Sequence, residues 1–598
     1  MGSDFGLPEL NPAVFSNRMQ RLCSEGKAEE ALAEVEDALA SLKPSAWLHG
    51  VHANILRLLE QYGLAAAAFV EAAKLEPRDS STWYGMGICL EQAGEEKGAF
   101  QAFAKAIEVE PRNAEAFFKA VQRLQKSRFF GKVVERLDAA DNSIKELPQW
   151  FVLRALAAFE MGDFRSAQQP PMAFTDIFRK DPAVAALRLR AMVYDPRVDG
   201  FNLLKAAMDW DRWHGPKEVE SLALLDPNPN RPLRIGFVNT RMYRHNIGTQ
   251  QLALMQHRPG KEACLIYVYS SNDIDDEVTE AIAALSDQYR DIRSMSDAEA
   301  VEHIRKDKLD ILVDYNEFAN NGRMGIFARR AAPIQVHYMG NALSTGLRAM
   351  DYRISDPISE PEGEADSLSA ETIVRLPKGY HFYEPPERIA ELYFETPALK
   401  KGHITFGGIH HLAKYNDDVL AAYQRILEGL PQAQIIFARN SFEDPQTVDA
   451  FYGKLKQAGF PMDRIELRPD LGRINQLGIW KDIDCVLDTF PFGSDATAMD
   501  SFFAGVPMIT LLGERIAGRR AAAMLHLLDC PELVTKSLDD YCQLAIDLGN
   551  DLQRLNAYRE RLHATFEASP LRNHADTAAS IFNALREIWQ TEIIKRGL

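Results

Sequence analysis

The chain has 598 residues, 46% hydrophobic and 26% charged, with a formal net charge of −17 and a pI near 5.4. Roughly 100–200 residues per domain leaves room for three or four compact units, and an acidic surface of this size disfavours binding to nucleic-acid phosphates or anionic membranes. Cys23, Cys89, Cys264, Cys485, Cys530 and Cys542 form no C-x-x-C pair, so neither a zinc knuckle nor a disulfide framework is expected, and the thiols read as reduced core residues. The opening MGSDFGLPEL lacks the apolar stretch of a secretory signal. The uncharged run Ser501–Gly513 is too short for a bilayer, which needs ~20 residues. The expected location is cytoplasmic.

The first third repeats itself. In residues 81–114, Trp83, Gly87, Gly94, Ala99, Phe103, Ala106 and Pro111 fall at tetratricopeptide (TPR) spacing. The preceding block carries Ala65, Phe69, Ala72 and Pro77, and the two prolines lie 34 residues apart, the TPR period. Small residues let paired helices approach closely, and proline stops the second helix. Gly26, Ala31 and Ala38 set an earlier unit, and looser ones run Phe117–Leu137 and Leu153–Ala167. A solenoid of this kind exposes a long groove suited to a protein partner. The pattern breaks over residues 168–232, where QQPP, DPRVDG and DPNPNRP read as a linker or intervening helices.

A new regime starts at residue 233. LRIGFVNT (233–240), CLIYVYSS (264–271) and LDILVDYN (309–316) read as buried strands, with helices over 278–286 and 298–306. The pattern restarts with HITFGGI (403–409), AQIIFARN (433–440), DRIELRPD (463–470), DCVLDTF (484–490) and PMITLLG (507–513). Helices are expected over 537–565 and 573–594. Strands alternating with helices imply parallel, doubly wound sheets. The expected domains are therefore 13–185 (repeats), 186–232 (linker or intervening helices), 233–400 (first lobe) and 401–598 (second lobe with closing helices). No G-x-G-x-x-G, G-x-x-x-x-G-K-[ST] or G-x-S-x-G motif opens either lobe, which disfavours a dehydrogenase, a P-loop kinase and an α/β-hydrolase.

Four segments carry a resemblance: LRIGFVNTRMYRH (233–245), APIQVHYMGNALSTGLRAMDYRISD (332–356), FGGIHHLAKYNDD (406–418) and DCVLDTFPFGSDATAMDSFFAGVPMITLLGERIAGRRAAA (484–523). Over roughly residues 230–590 the chain resembles the O-GlcNAc-transferase-like family of protein glycosyltransferases. The resemblance implies a TPR superhelix followed by a GT-B fold of two Rossmann-like lobes. It also implies a metal-independent, inverting transferase that uses a nucleotide-sugar donor and no cofactor. Lys414 matches the family lysine at the donor phosphates, where a fixed ammonium stabilises the charge of the leaving group. His245 matches an active-site histidine that acts as general base or orienting group.

GSDATAMD (493–500) leads from a strand into a helix, whose free N–H groups and dipole form an anion site. Thr497 is expected to add a hydroxyl donor there, unless it or Asp495 merely caps the helix. Asp500 matches a family aspartate at the donor ribose, and Arg519 is a further phosphate candidate. Ser494, Ala496, Arg473 and His411 complete the expected donor set. The pair His410–His411 lacks an identifiable third ligand, so no metal site is expected.

Departures from the family pattern bear on the donor. Asp495-Ala496-Thr497 stands where the family has His-Thr-Thr, Gln476 and Ile479 where it has His and Arg near the base, Ala342-Leu343 where it has Pro-Gly, and Lys378 where it has His. A carboxylate at 495 would repel a diphosphate, by ~1 kcal/mol at ~4 Å even in bulk water. A CMP donor, with one phosphate, tolerates it better. A smaller branch with this layout contains bacterial flagellin glycosyltransferases associated with nonulosonic acids. The favoured expectation is therefore transfer of a CMP-linked pseudaminic- or legionaminic-type sugar to Ser/Thr of flagellin docked by the repeats. The alternatives are a UDP-GlcNAc or UDP-hexose protein O- or N-glycosyltransferase, and an inactive TPR adaptor.

Overall fold

The computed structural model describes residues 11–170, 176–319, 321–340, 343–386, 392, 395–469 and 477–598. Two compact units divide the chain, Met1–Ala157 and Ala158–Leu598.

The first unit is a run of paired helices: α1 (Pro12–Ser24), α2 (Ala28–Ser41), α3 (Ala46–Leu58), α4 (Tyr62–Leu75), α5 (Ser80–Gln92), α6 (Glu96–Val109), α7 (Ala114–Lys126) and α8 (Phe130–Asp138), then the short α9 (Asn142–Lys145) and the start of α10 (Pro148–Glu160). The repeat residues do what their spacing predicts. Ala65, Ala72, Ala99, Phe103 and Ala106 are buried. A Cβ on Gly87 would lie 2.5 Å from the Phe103 ring, so only glycine lets α5 and α6 close on that phenylalanine. Asp79 caps α5 by accepting from the amides of Ser81 and Thr82, and Asn113 caps α7 through Ala116.

The second unit opens with the end of α10, followed by α11 (Ile177–Lys180), α12 (Pro182–Val193) and α13 (Gly200–His214). The first sheet contains β1 (Leu233–Asn239), β2 (Cys264–Ser270), β3 (Gln288–Asp291), β4 (Ile311–Asp314), β5 (Ile334–His337), β6 (Tyr352–Ser355) and β7 (Thr372–Arg375), with α14 (Asn246–Gln256) after β1. Its order is β3-β2-β1-β4-β5-β6-β7, and its pairings are parallel. The second sheet contains β8 (Thr405–Gly408), β9 (Gln434–Ala438), β10 (Ile465–Arg468), β11 (Cys485–Leu487), β12 (Met508–Leu511) and β13 (Val534–Thr535), in the order β10-β9-β8-β11-β12-β13, and is likewise parallel. Central strands read as continuous apolar runs because helices cover both faces: Ile235, Phe237, Ile266, Val268, Ile311 and Val313 are all buried.

This is the architecture expected from the sequence, a helical repeat array followed by two parallel sheets of GT-B type. β3, β5, β6, β7 and β13 escaped the sequence reading because each has at most four residues and most are partly polar. The single helix expected over 537–565 is two, Leu538–Asn550 and Leu552–Glu567; Asp551 interrupts it by capping the second through Arg554. The last helix, His574–Lys595, returns to the first lobe, where Ile581, Leu585 and Trp589 join the core of the first sheet. Parallel strands place all their carboxyl ends on one edge, where ligands bind such sheets.

Removing the Phe103 ring empties the α5–α6 interface. Phe103→Ala should cost about 3–5 kcal/mol locally, seen as lost hydrogen-exchange protection confined to α5 and α6.

Candidate active site

The phosphate end is built at the carboxyl edge of the second sheet. β8 leads through His410 and His411 into a single 3-10 turn, Leu412–Lys414. His411 Nδ1 accepts from the Ala413 amide at 3.2 Å, and Asn416 caps the next helix while donating to the Phe490 carbonyl at 2.6 Å. Lys414 is thus fixed between two caps. Its Nζ donates to the Gly493 carbonyl at 2.6 Å and lies 4.3 Å from the Phe492 ring centre. Burial pushes its pKa down to about 8, against the opposing pull of Asp488 and Asp495.

Immediately after Gly493, helix Ala496–Phe503 begins. Asp495 occupies its N-cap position, but its side chain makes no capping bond. The amides of Ala496 and Thr497 make no hydrogen bond to any described residue. The Lys414 ammonium thus sits on the backbone of Gly493, three residues before the uncapped start of this helix.

Asp495 looks elsewhere. Its carboxylate accepts from Arg520 at 2.7 Å and lies 3.5 Å from His381 Nε2. Burial alone would raise its pKa, but Arg520 and His381 hold it below the usual carboxylate range. Arg520 also donates to the Gly340 carbonyl at 2.6 Å, bridging the two lobes. The expected repulsion between Asp495 and a diphosphate loses its premise, because the charge is already paired.

The Thr497 hydroxyl donates to Ile409 O at 3.2 Å; the donor expected at the phosphates is committed to the backbone. Ser494 Oγ sits 3.3 Å from His410 Nδ1, whose Nε2 meets Leu487 O at 2.8 Å; burial holds that imidazole down to about 4, in its neutral form. Asp500 is buried and accepts from the Tyr383 hydroxyl at 2.8 Å. Arg519 donates to Ile358 O at 2.9 Å and Gly513 O at 3.0 Å, and so ties loops together. Lys378 is exposed, 3.5 Å from Asp576, and Ile479 packs against the second-lobe core. Arg473, Gln476 and Ala342 lie outside the described residues.

His245 is the N-cap of α14, its Nδ1 accepting the Ile247 amide at 3.2 Å. A neutral ring with Nδ1 so engaged carries its proton on Nε2.

Between the carboxyl edges of the two sheets lies a cavity of about 390 Å³. Arg241 follows β1, Arg439 follows β9 and Phe492 follows β11, while α10 and α12 contribute Glu160 and Arg190. Arg241 and Arg439 make no side-chain hydrogen bond or ion pair with any described residue. His411 Nε2 donates to Glu160 Oε2 at 3.1 Å. Burial lowers the pKa of this imidazole, against the opposing pull of Glu160. Burial would raise the Glu160 pKa, but the charge and the hydrogen bond of His411, with the Arg439 and Arg190 charges, pull it down to about 2. The contact is possible because Gly162, at φ +102, turns the chain after α10 so tightly that a Cβ would lie 3.1 Å from Leu412 O.

The sequence reading missed Arg190, Arg241, Arg439, Arg520 and Glu160. A signal existed for two of them: each of Arg241 and Arg439 follows closely on a buried strand, in GFVNTR and IIFAR. The carboxyl edge of a parallel sheet is where such a residue meets ligand.

The model of glycosyl transferase family 41 matches residues 224–384 and 384–581. The chain belongs to glycosyl transferase family 41. It is 29% identical over 410 residues to the probable UDP-N-acetylglucosamine–peptide N-acetylglucosaminyltransferase SPINDLY of Arabidopsis thaliana, and 30% identical over 410 residues to that of Solanum lycopersicum. Each alignment covers 67% of this chain and 44% of the relative, so the chain spans less than half the length of these relatives. Among solved structures, a mutant of the Thermobaculum terrenum O-GlcNAc transferase matches with a TM-score of 0.69 and 26% identity, covering 92% of this chain and 98% of the other. No helix among the described residues is long and apolar enough to cross a membrane.

The depressed Lys414 pKa sets a pH dependence. Binding of an anion to the ammonium should be strongest well below pH 8, halve near it and fall about tenfold per pH unit well above it. Calorimetry with UDP should show that fall in the wild type. Lys414→Arg should not show it up to about pH 10, because guanidinium stays charged.

Proposed function

We propose that the protein transfers a sugar from a nucleotide donor to a protein side chain, and that Lys414 with the amides of Ala496 and Thr497 receives the leaving phosphate. The observation that carries this reading is a desolvated ammonium, held 2.6 Å from Gly493 O, beside a helix mouth whose N–H groups are unused. An acceptor oxygen attacks the anomeric carbon. The bond from that carbon to the phosphate oxygen breaks, and its electron pair stays on the phosphate. The acceptor proton leaves to a base or to water. Direct displacement inverts the anomeric centre. A charge pair at ~4 Å gains about 1–4 kcal/mol between bulk water and a protein surface, most at the transition state, where the phosphate charge is largest. His245, with Nδ1 engaged, orients the acceptor or sugar through Nε2–H. Asp500 and the other residues of the 494–500 segment shape the donor pocket from behind.

UDP-linked N-acetylhexosamine or hexose is the donor class that the relatives' names support, and the pairing of Asp495 with Arg520 removes the objection to a diphosphate. One observation favours a second reading, a CMP-linked nonulosonic acid: Arg241 and Arg439 are uncommitted guanidiniums in the cavity, and a sugar carboxylate suits such groups. The acceptor we propose is a protein held by the repeat array and modified at Ser or Thr. Flagellin is the candidate carried by the resemblance to the flagellin-modifying branch.

The test is calorimetry of the full chain with UDP-GlcNAc and with a CMP-linked nonulosonic acid, followed by mass spectrometry of flagellin and of total cell protein after incubation with each donor. The proposal expects transfer from the UDP donor and a fall of about 10²–10³-fold in kcat for Lys414→Ala. Transfer from the CMP donor alone establishes the second reading. No transfer from either, with unchanged partner binding in Lys414→Ala, establishes an inactive adaptor.

A further inference from the structure

Helices α6, α7 and α8 bound a groove of about 970 Å³ in the repeat unit. Its floor includes the half-buried rings of Phe100 and Phe129. Around it stand Lys97, Lys132 and Arg136, together with Glu96 and Glu135, all exposed. None of the three cations makes a hydrogen bond or ion pair with a described residue; Lys132 lies 4.9 Å from the Phe129 ring centre. A fourth cation, Arg123, is held in place by Glu96 at 2.7 Å and Glu91 at 3.9 Å.

This is a local reversal of the chain's charge. Residues 97–136 contain nine Lys and Arg against four Glu, in a protein of net charge −17. Aromatic rings supply apolar contact area, and cations fixed beside them would steer and select an oppositely charged partner. A small anion has no use for two partly exposed phenylalanines, and a nucleic acid would meet the acidic remainder of the surface.

We infer that this groove docks an acidic segment of the acceptor protein, one in which large apolar side chains alternate with Asp or Glu. The inference rests on the proposal that the protein modifies another protein, and it names the chemistry by which that acceptor is chosen. The apolar side chains would lie on Phe100 and Phe129, and the carboxylates would pair with Lys97, Lys132 and Arg136. Pairs of this kind at a solvated rim act mainly on association and selectivity, and weaken with salt.

The probe is a fluorescein-labelled twelve-residue peptide of alternating Glu and Leu, with the matching Lys and Leu peptide as control, titrated against the full chain by anisotropy. The wild type is expected to bind the Glu peptide, more weakly as salt rises. The triple variant Lys97→Glu, Lys132→Glu, Arg136→Glu should weaken that binding at least about tenfold. It should also gain binding of the Lys peptide, a gain that unfolding could not produce. UDP binding by the variant should stay at the wild-type level. Equal binding of both peptides by the wild type, or a triple variant that still prefers the Glu peptide, overturns the inference. Loss of UDP binding in Lys414→Ala beside an unchanged peptide preference keeps the groove and the transfer site separate. Absence of UDP binding in the wild type strikes at the transferase reading alone.

Discussion

Everything at the centre of this protein depends on keeping one ammonium charged in a place that has little water to charge it. Lys414 is buried enough for its proton to come off near pH 8, yet its Nζ is held by a single carbonyl and the face of one ring. Such a group is poised for an anion, because an arriving phosphate replaces the solvation the lysine has lost. The local architecture follows from that need. The 3-10 turn sets the direction of the side chain, Asn416 ties the turn to the strand end after β11, and the following helix presents amides that Asp495 leaves uncapped.

A second constraint is the pairing of the acidic side chains Asp495 and Glu160. Asp495 is paired with Arg520, which also holds Gly340 of the other lobe. Glu160 is held by His411. Removing one partner from a buried pair of this kind costs about 3–5 kcal/mol, because the other charge is left without compensation. These pairs brace the second lobe against the first and against the end of α10, while Arg241 and Arg439 make no side-chain hydrogen bond or ion pair with a described residue.

Much of this was legible in the sequence, and the parts that were not share a cause. The repeat helices follow from alanines, glycines and prolines at a fixed period, since each acts locally on helix approach and termination. The strands of the two sheet centres follow from apolar runs buried on both faces. Lys414 and His245 are marked in the sequence by the motifs that carry the family resemblance. The partners of the site residues were not found, because pairing is a property of the fold. Nothing near Asp495 in the chain announces Arg520, 25 residues on, and nothing near His411 announces Glu160, 251 residues back. For the same reason Asp495 read as a charge facing the donor when it faces an arginine, and the Thr497 hydroxyl read as free when Ile409 takes it. The stretch 186–232, expected as linker or intervening helices, includes Arg190 of the crevice wall, a role that no local pattern encodes.

The central claim is that Lys414 and the mouth of helix Ala496–Phe503 form a phosphate site. A crystal structure of the full chain with UDP tests it most directly. The account predicts a phosphate oxygen within about 3 Å of Lys414 Nζ and a second contact from the amide of Ala496 or Thr497. Density for UDP elsewhere, with Lys414 still held on the Gly493 carbonyl alone, would contradict it.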